Sequence, residues 1–205
     1  MHRGNRHGRS EAAREAVLQA ADDLVAEIGY AKVTVEGIAA RAGVAKQTIY
    51  RWWRSKTDIL VDAFTADSAQ EFTLPDTGAF RTDLRAHLDE LVHFLEASDS
   101  GAVFRALAGQ AQHDPELATR LRAEVLPRLR ARDRVPFDRA AGRGELPADA
   151  DVDLFVDQVV GPIHFRVLVT GEPVTPALLD ALVTLAARQQ PDASPRPRQP
   201  GGAAN

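Results

Sequence analysis

Apolar side chains recur at steps of three or four residues along most of the chain, which is the spacing of an amphipathic helix. In residues 10–28 this face is formed by Ala13, Val17, Ala20, Leu24 and Ile28. No segment of the sequence shows the strict alternation, bounded by hairpin signals, that is typical of strands. The pattern therefore predicts an all-α fold.

The predicted helices form two groups, separated by the turn signals Pro75 and Gly78. Helices of the first group are predicted at 10–28, 34–41, 46–52 and 56–70. Helices of the second group are predicted at 80–97, 103–112, 115–132, 151–170 and 176–190. Because proline interrupts the helical hydrogen-bond ladder, we expect kinks at Pro127 and at Gly161-Pro162.

Residues 33–60 contain the most specific pattern in the chain. Thr34 stands at an N-cap position, and its hydroxyl is expected to accept a hydrogen bond from an early helix N–H. Gly43 supplies the left-handed backbone that ends this short helix. A second short helix follows at about residues 46–52. Two short helices joined by a tight glycine-containing turn predict a helix-turn-helix.

The second short helix is polar where a DNA-recognition helix must be polar. Its first residues lie at the end that approaches base edges in this motif. Its outer side carries a phenol and a guanidinium suited to phosphates. These residues are Lys46, Gln47, Thr48, Tyr50 and Arg51. The inner side is predicted to carry Ile49 and Trp53 as core anchors.

The next helix is predicted to begin with a capping box formed by Ser55 and Asp58. Lys56 lies in its first turn, where the helix dipole disfavours a cation. A bound phosphate would resolve this conflict, because a helix N-terminus attracts anions. Charge is also uneven along the chain: residues 1–60 have a net charge of +3, and the remainder has −7. Such asymmetry favours contact of the first part with a polyanion.

Residues 10–65 resemble the DNA-binding head of the TetR/AcrR repressors, and the C-terminal stretches 161–166 and 170–173 resemble one branch of that family. The head matches the family pattern in order and spacing at Thr34, Ile38-Ala39, Ala42-Gly43-Val44, Thr48-Ile49-Tyr50, Trp53, Ser55-Lys56, Asp58 and Leu60. The sequence departs from the pattern at Ala45, where many relatives have a Ser or Thr cap. Trp52-Trp53 also replaces a smaller residue followed by Phe.

The resemblance implies a role for each matched residue. Thr34, Thr48, Tyr50 and Lys56 match residues that hold DNA phosphates. The positions that match surfaces facing the major groove are Lys46, Gln47, Arg51 and Trp52. Trp52 has two open interpretations, since its ring could stack on a sugar or phosphate or pack within the protein.

The predicted organisation has four parts. Residues 1–9 form a disordered basic arm, and residues 10–57 form the TetR-type DNA-binding head. Residues 58–190 form an effector-binding and dimerisation domain. Residues 191–205 are rich in Pro and Gly and are predicted to be disordered.

Candidate effector-binding residues are aromatic or polar side chains near apolar helix faces. They are Phe94, Phe104, Gln110, His113, Phe155 and His164. Core packing remains the alternative for the aromatic residues, and solvent exposure or internal bonding for the polar ones. The last two helices are too apolar for solvent on both faces and predict a four-helix bundle with a second copy, with burial within the monomer as the alternative. The interface candidates are Leu154, Gln158, Phe165, Val169, Leu178, Leu182 and Leu185.

Catalytic and metal chemistry have no visible basis in the sequence. The chain has no cysteine, which excludes disulfides, thiolate metal sites and a catalytic thiol. His87 and His93 are six residues apart and do not share a helix face. No Gly-rich phosphate loop or nucleophile elbow is present. We therefore expect no metal, no cofactor and no enzyme activity.

The sequence also contains no apolar run of about 18 residues and no signal peptide, so we expect a cytoplasmic protein without a membrane partner. The expected function is that of a homodimeric repressor released from a palindromic DNA operator by a small-molecule effector. Two alternatives remain at this point. One is a small-molecule carrier or enzyme with a vestigial head, and the other is a non-specific nucleoid protein.

Overall fold

The computed structural model describes residues 4–67 and 74–188. In these two stretches the backbone forms ten α-helices and no strand. The all-α prediction is therefore confirmed for the described residues. Residues 1–3 of the predicted arm and the whole predicted tail, 191–205, lie outside them.

Four helices form the N-terminal group. They are α1 (Gly4–Ile28), α2 (Val35–Ala42), α3 (Lys46–Tyr50) and α4 (Lys56–Asp67). Helix α1 begins at Gly4, whereas the sequence predicted a disordered arm up to residue 9 and a helix from residue 10. No proline separates these two positions, and adding residues to an existing helix costs far less than starting one.

Helices α1, α2 and α4 pack around one small core. Its innermost side chains are fully buried and aliphatic: Val17, Ile38, Ile49, Ile59 and Leu60. Burial of one such side chain stabilises the fold by about 1.5–3 kcal/mol. Helices α1 and α4 also contact α6, so the head is joined to the rest of the chain by packing as well as by the backbone.

Six helices form the C-terminal domain. They are α5 (Phe80–Ala97), α6 (Asp99–Gln110), α7 (Pro115–Arg120), α8 (Leu126–Gly142), α9 (Val152–Phe165) and α10 (Pro176–Ala187). Helix α5 packs against α6, α8 and α10, and α9 packs against α8 and α10. The apolar face of α5 lies in the core and consists of Phe80, Leu84, Leu88, Leu91 and Leu95.

The single helix predicted at 115–132 is divided into two helices in the structure. A π turn at Leu121–Val125 separates α7 from α8, and α8 then continues to Gly142. Pro127 lies in the first turn of α8. Because proline has no N–H to donate to a carbonyl of the preceding turn, that turn adopts the wider hydrogen bonding of a π-helix. Helix α9 runs through Pro162, and its wide turn comes later, at Arg166–Thr170.

A tight junction joins α5 to α6. The Ser98 hydroxyl caps α6 by accepting the Gly101 N–H at 2.9 Å. A Cβ atom at residue 101 would lie 1.7 Å from the carbonyl oxygen of Phe94, so only glycine fits there. Helix α6 therefore begins at Asp99 and not at residue 103 as the sequence predicted. This junction orients Phe104, whose ring lies 5.9 Å from that of Phe64 in α4.

Candidate nucleic-acid interface and ligand cleft

The predicted caps of the helix-turn-helix are present. The Thr34 hydroxyl accepts the Gly37 N–H at 3.0 Å. Gly43 has φ 66°, and this left-handed residue lets the Val44 N–H bond back to the Ala39 carbonyl at 3.0 Å. The first residue of α3 follows at once, with no side-chain cap from Ala45.

Helix α3 has an inner and an outer side. Ile49 and Trp53 are buried and anchor it on the head's core. Thr48 is half-buried, and the remaining predicted DNA-facing side chains of α3 and its C-cap are exposed: Lys46, Gln47, Tyr50 and Arg51. Polar groups on an anchored helix can bind a partner without first being uncovered.

Lys46 already has a partner in the free protein. Its ammonium group pairs with the Glu36 carboxylate of α2 and lies 5.5 Å from the centre of the Tyr50 ring. The bond to Glu36 raises the pKa of Lys46 and lowers that of the carboxylate. Both side chains are exposed, so a phosphate can compete for Lys46 in water.

Trp52 packs rather than standing free. The ring is half-buried against the core, and it lies edge-on to Trp53 with the ring centres 5.4 Å apart. Of the two interpretations left open by the sequence, this geometry favours packing.

Lys56 has a structural role that the sequence did not reveal. Its ammonium group donates to the carbonyl oxygens of Tyr30 at 2.8 Å and Val33 at 3.0 Å. It also lies 4.1 Å from the centre of the Tyr30 ring. Burial lowers the pKa of Lys56. The expected conflict with the dipole of α4 is thus offset by these carbonyls, without a phosphate, and Lys56 fixes the turn that leads into α2.

The capping box at the start of α4 is confirmed. Asp58 Oδ2 accepts the N–H groups of Arg54 at 3.2 Å and Ser55 at 3.1 Å. In return, the Ser55 hydroxyl accepts the Asp58 N–H at 3.1 Å.

A charged cluster that the sequence did not reveal joins α4 to α7. Arg120 donates to Asp58 Oδ1 at 2.7 Å and to Asp62 Oδ1 at 3.2 Å. The other oxygen of Asp62 accepts from the indole N–H of Trp53 at 2.9 Å and from Arg14 at 3.0 Å. Bonds to Glu124 first, and then to the two aspartates, raise the pKa of Arg120. Asp58 and Asp62 are four apart and share a helix face, but sequence spacing does not indicate their distant partner.

Two adjoining cavities open in the C-terminal domain. One, of about 440 Å³, lies between α8 and α9, and the other, of about 410 Å³, lies between α6 and α7. Phe104, Arg122 and Leu126 line both. We call the two together the ligand cleft.

Two of the six predicted effector residues, Phe104 and His164, line the ligand cleft. The other four lie outside its lining. Phe94 is buried in the core with its ring 6.1 Å from that of Phe104, and Phe155 packs partly against the core. Gln110 is half-buried and His113 is exposed, and the two residues between them, Ala111 and Gln112, line the cleft.

Sequence reasoning missed Asp133 and Gln112, which both line the cleft. A signal for Asp133 was present, since it stands four residues from Leu129 and from Phe137 on the apolar face of α8.

The predicted interface residues of α9 and α10 are mostly on the surface. Phe165 is 57% exposed and Val169 is 69% exposed. Leu154, Gln158 and Leu185 are also exposed, and Leu178 is half-buried. Leu182 departs from the prediction: it is 6% exposed because it faces the core with Leu179, Val183 and Ala186.

The helix-turn-helix and the domain behind it match two family profiles. "Bacterial regulatory proteins, tetR family" matches residues 17–63, and "Tetracyclin repressor-like, C-terminal domain" matches residues 74–186, more than half of the chain. The chain belongs to the TetR family. The resemblance found in the sequence is thereby confirmed, and so is its expected function as a DNA-binding transcriptional regulator.

Individual relatives of this TetR-family chain cover nearly its whole length. The HTH-type transcriptional regulator YdeS of Bacillus subtilis is 35% identical over 85% of this chain and 88% of its own. The DNA-binding transcriptional repressor TetR of Mycobacteroides abscessus is 32% identical over 85% and 92%. The crystal structure of the TetR family transcription regulator SCO0332 has a TM-score of 0.73 and 34% identity, covering 86% of this chain and 97% of that one.

TetR-family regulators are typically repressors with a ligand-binding C-terminal domain, and the relatives of this chain are transcriptional regulators. Among the helices in residues 4–67 and 74–188, none is both long and apolar enough to span a bilayer. Within the same residues, no group of three His, Asp or Glu side chains is placed to hold a metal ion.

Proposed function

We propose that this TetR-family chain is a homodimeric repressor that binds a palindromic operator and is released when a small molecule occupies the ligand cleft. The observation that carries the proposal is the exposed polar side of α3, formed by Lys46, Gln47, Tyr50 and Arg51. Its opposite side is anchored by the buried Ile49 and Trp53. In a helix-turn-helix, this side of the second helix enters the major groove.

In the proposed complex, Gln47 and Arg51 face base edges, and Tyr50 and Thr48 contact phosphates. Lys46 exchanges its Glu36 partner for a phosphate. Exposed ion pairs are worth little in water, so this exchange costs little and is favoured by counterion release from DNA. Thr34 and Lys56 support the interface chiefly by fixing the helix ends, as their internal bonds indicate.

The proposed dimer forms through the outer faces of α9 and α10. Leu154, Phe165, Val169 and Leu185 are large apolar side chains exposed on these helices. An apolar surface of this kind is typical of a protein interface. A second copy on the same surface would form a four-helix bundle and present two heads related by two-fold symmetry.

The proposed signal passes from the cleft to the head through Arg120. Ala118, two residues before Arg120, and Leu121, the residue after it, line the cleft. Arg120 itself bonds to Asp58 and Asp62 of α4. A ligand that displaces α7 would therefore move the start of α4 and the Trp53 anchor beneath α3. Release requires that the ligand bind the displaced state more tightly than the DNA-binding state.

Selection from a random pool of DNA duplexes tests the proposal. The expected product is one inverted repeat with half-sites about one helical turn apart. Because Arg51 is proposed to face a base edge, Arg51→Ala should weaken binding to this repeat and relax specificity at one position. Arg81→Ala removes the same charge from an exposed position of α5 and should leave affinity unchanged.

Two other outcomes would count against the proposal. Equal binding to all sequences would favour a non-specific nucleoid protein. Tight small-molecule binding without operator preference would favour a carrier or enzyme.

A further inference from the structure

The part of the cleft between α8 and α9 has a mostly apolar wall with one buried charged residue. Asp133 is 5% exposed and lines this cavity. Around it lie Leu129, Val156 and Val160. Burying a carboxylate in apolar surroundings is costly unless its oxygens are bonded, so the bonding of Asp133 indicates what the cavity can recognise.

The contacts of Asp133 with His87 and Arg132 are made through one carboxylate oxygen. Oδ1 lies 3.2 Å from Nε2 of the buried His87 and 3.4 Å from both Nε and Nη2 of Arg132. None of these contacts uses Oδ2. An ionised carboxylate oxygen only accepts hydrogen bonds, so Asp133 offers the cavity an acceptor.

His164 offers a second acceptor on the opposite wall. Its Nδ1 lies 3.2 Å from the carbonyl oxygen of Val160, and because a carbonyl only accepts, Nδ1 must hold the proton. Burial lowers the pKa of His164, so the ring is neutral near pH 7 and Nε2 has a free lone pair. The edge-on Phe104 ring, 6.1 Å away, helps to fix this orientation.

The charges around this cavity cancel. Its lining contains two arginines, Arg122 and Arg130, and two aspartates, Asp133 and Asp157. Arg130 is paired with Asp157 and with Asp153 at the rim. An anionic head group placed beside Asp133 would be repelled, and a cation would gain little because Arg132 already lies next to that carboxylate. The best fit is therefore a neutral donor.

We propose that the molecule recognised by this cavity is uncharged and largely apolar, presents hydroxyl groups as donors to Asp133 and His164, and carries no acidic group there. Its role as the effector rests on the proposed function. The apolar remainder would lie against Phe104, Leu126 and Leu129, which line the same cavity.

Calorimetric titration of the full-length protein with four matched probes tests this assignment. The probes are 2-naphthol, 2-naphthoate, 2-naphthylmethylammonium and naphthalene, which share one ring system and differ in the polar group. We expect 2-naphthol to bind about tenfold more tightly than naphthalene and more tightly still than 2-naphthoate, since one satisfied hydrogen bond to a charged group has about this effect. Failure of all four to bind, equal or tighter binding of 2-naphthoate, or a preference for the ammonium probe would overturn the proposal.

Three variants test which residues determine the preference for 2-naphthol. In Asp133→Asn, an amide that can donate replaces the acceptor, so the preference for 2-naphthol over 2-naphthoate should fall at least about tenfold. 2-Naphthol has a single O–H donor, so it can donate to Asp133 or to His164 but not to both at once. His164→Phe keeps an aromatic ring beside Phe104, so it should weaken the binding of 2-naphthol less than Asp133→Asn does and leave the binding of naphthalene unchanged. Asp138→Asn removes a carboxylate from the exposed side of α8, outside the lining of the cavity, and should leave the preference intact. Unchanged preference in both of the first two variants, with native circular dichroism, would overturn the assignment.

These titrations contain no DNA, so they are independent of the repressor proposal. If 2-naphthol shows the expected preference but operator binding is absent, the ligand chemistry stands and the proposed function fails. If the operator is bound and the probe preference is absent, the proposed function stands and the proposed ligand chemistry fails.

Discussion

The head and the ligand cleft place their polar groups in opposite ways. In the head, Gln47, Tyr50 and Arg51 point into solvent from a helix whose other side is packed. In the cleft, Asp133 and His164 lie among apolar side chains. Exposed polar groups can change with little effect on folding, whereas buried ones are tied to it. The head should therefore tolerate changes in specificity that the cleft cannot accept without a loss of stability.

The largest expected effect separates the two sides of α3. Ile49→Ala should lower the free energy of unfolding by about 2–5 kcal/mol because it leaves a cavity beneath the helix. Gln47→Ala, two residues away on the exposed side, should change it by less than about 0.5 kcal/mol yet alter operator affinity. Urea unfolding followed by tryptophan fluorescence measures the first quantity. Equal destabilisation by both variants would contradict the two-sided description of α3.

The exposed face of α9 and α10 should give the next largest effect. Phe165→Glu places a charge in the proposed dimer interface and should raise the dimer dissociation constant about a hundredfold or more, as loss of a central aromatic residue does. Ile28→Glu alters another exposed apolar side chain, 42% exposed at the end of α1, and should leave the dimer intact. Sedimentation equilibrium measures the dimer dissociation constant of each variant. A dimer unaffected by Phe165→Glu would place the interface elsewhere.

The Arg120 cluster links the head to the ligand cleft. Its loss should affect the response to the effector more than the affinity of the free protein for the operator. Arg120→Met keeps a flexible unbranched side chain but removes the bonds to Asp58 and Asp62. The effector-induced loss of operator affinity, about 5–150-fold for typical allosteric coupling, should shrink towards none. Arg134→Met, which removes an arginine paired with Asp138 and Asp153 of the C-terminal domain, should keep the full response. A normal response in Arg120→Met, measured by fluorescence anisotropy of labelled operator, would exclude this route.

The smallest effect concerns pH. Because burial lowers the pKa of His164 in the folded protein, the unfolded chain binds a proton at this residue more readily. Its contribution to stability is complete above the unfolded pKa of about 6.5 and is lost as the pH falls below that value. The free energy of unfolding, measured with urea at pH 7.5 and at pH 5.5, should differ less between the two pH values for His164→Phe than for the unchanged chain. An identical difference would show that His164 is not buried as described.

The head could be predicted from sequence because its signals are local. Thr34, Gly43 and the Ser55–Asp58 pair each act on backbone groups within a few residues. Lys56 is the exception, since its carbonyl partners are 23 and 26 residues away. The sequence indicated that Lys56 needed a negative partner but did not indicate which one.

The cleft could be predicted only in part because its contacts are distant in the chain. Arg120 and Asp58 are 62 residues apart, and no spacing rule connects α7 to α4. The apolar pattern identified the helices of this domain, but it did not distinguish Leu182, which faces the core, from its exposed neighbour Leu185. It also could not foresee that α8 would continue through Pro136. That proline is buried among the core side chains of α8, and such packing can offset a lost hydrogen bond.

The central claim, that the exposed side of α3 enters the major groove of a palindromic site in two copies, can be tested by directed DNA cleavage. The chain has no cysteine, so Gln47→Cys offers a single attachment point for an iron chelate that cleaves nearby DNA. If α3 enters the groove in two copies, the chelate should produce two clusters of cuts, placed symmetrically about the centre of the selected operator and about one helical turn apart, and the same chelate on Arg81→Cys should produce none. Uniform cutting along the duplex, or a pattern without two-fold symmetry, would contradict the central claim.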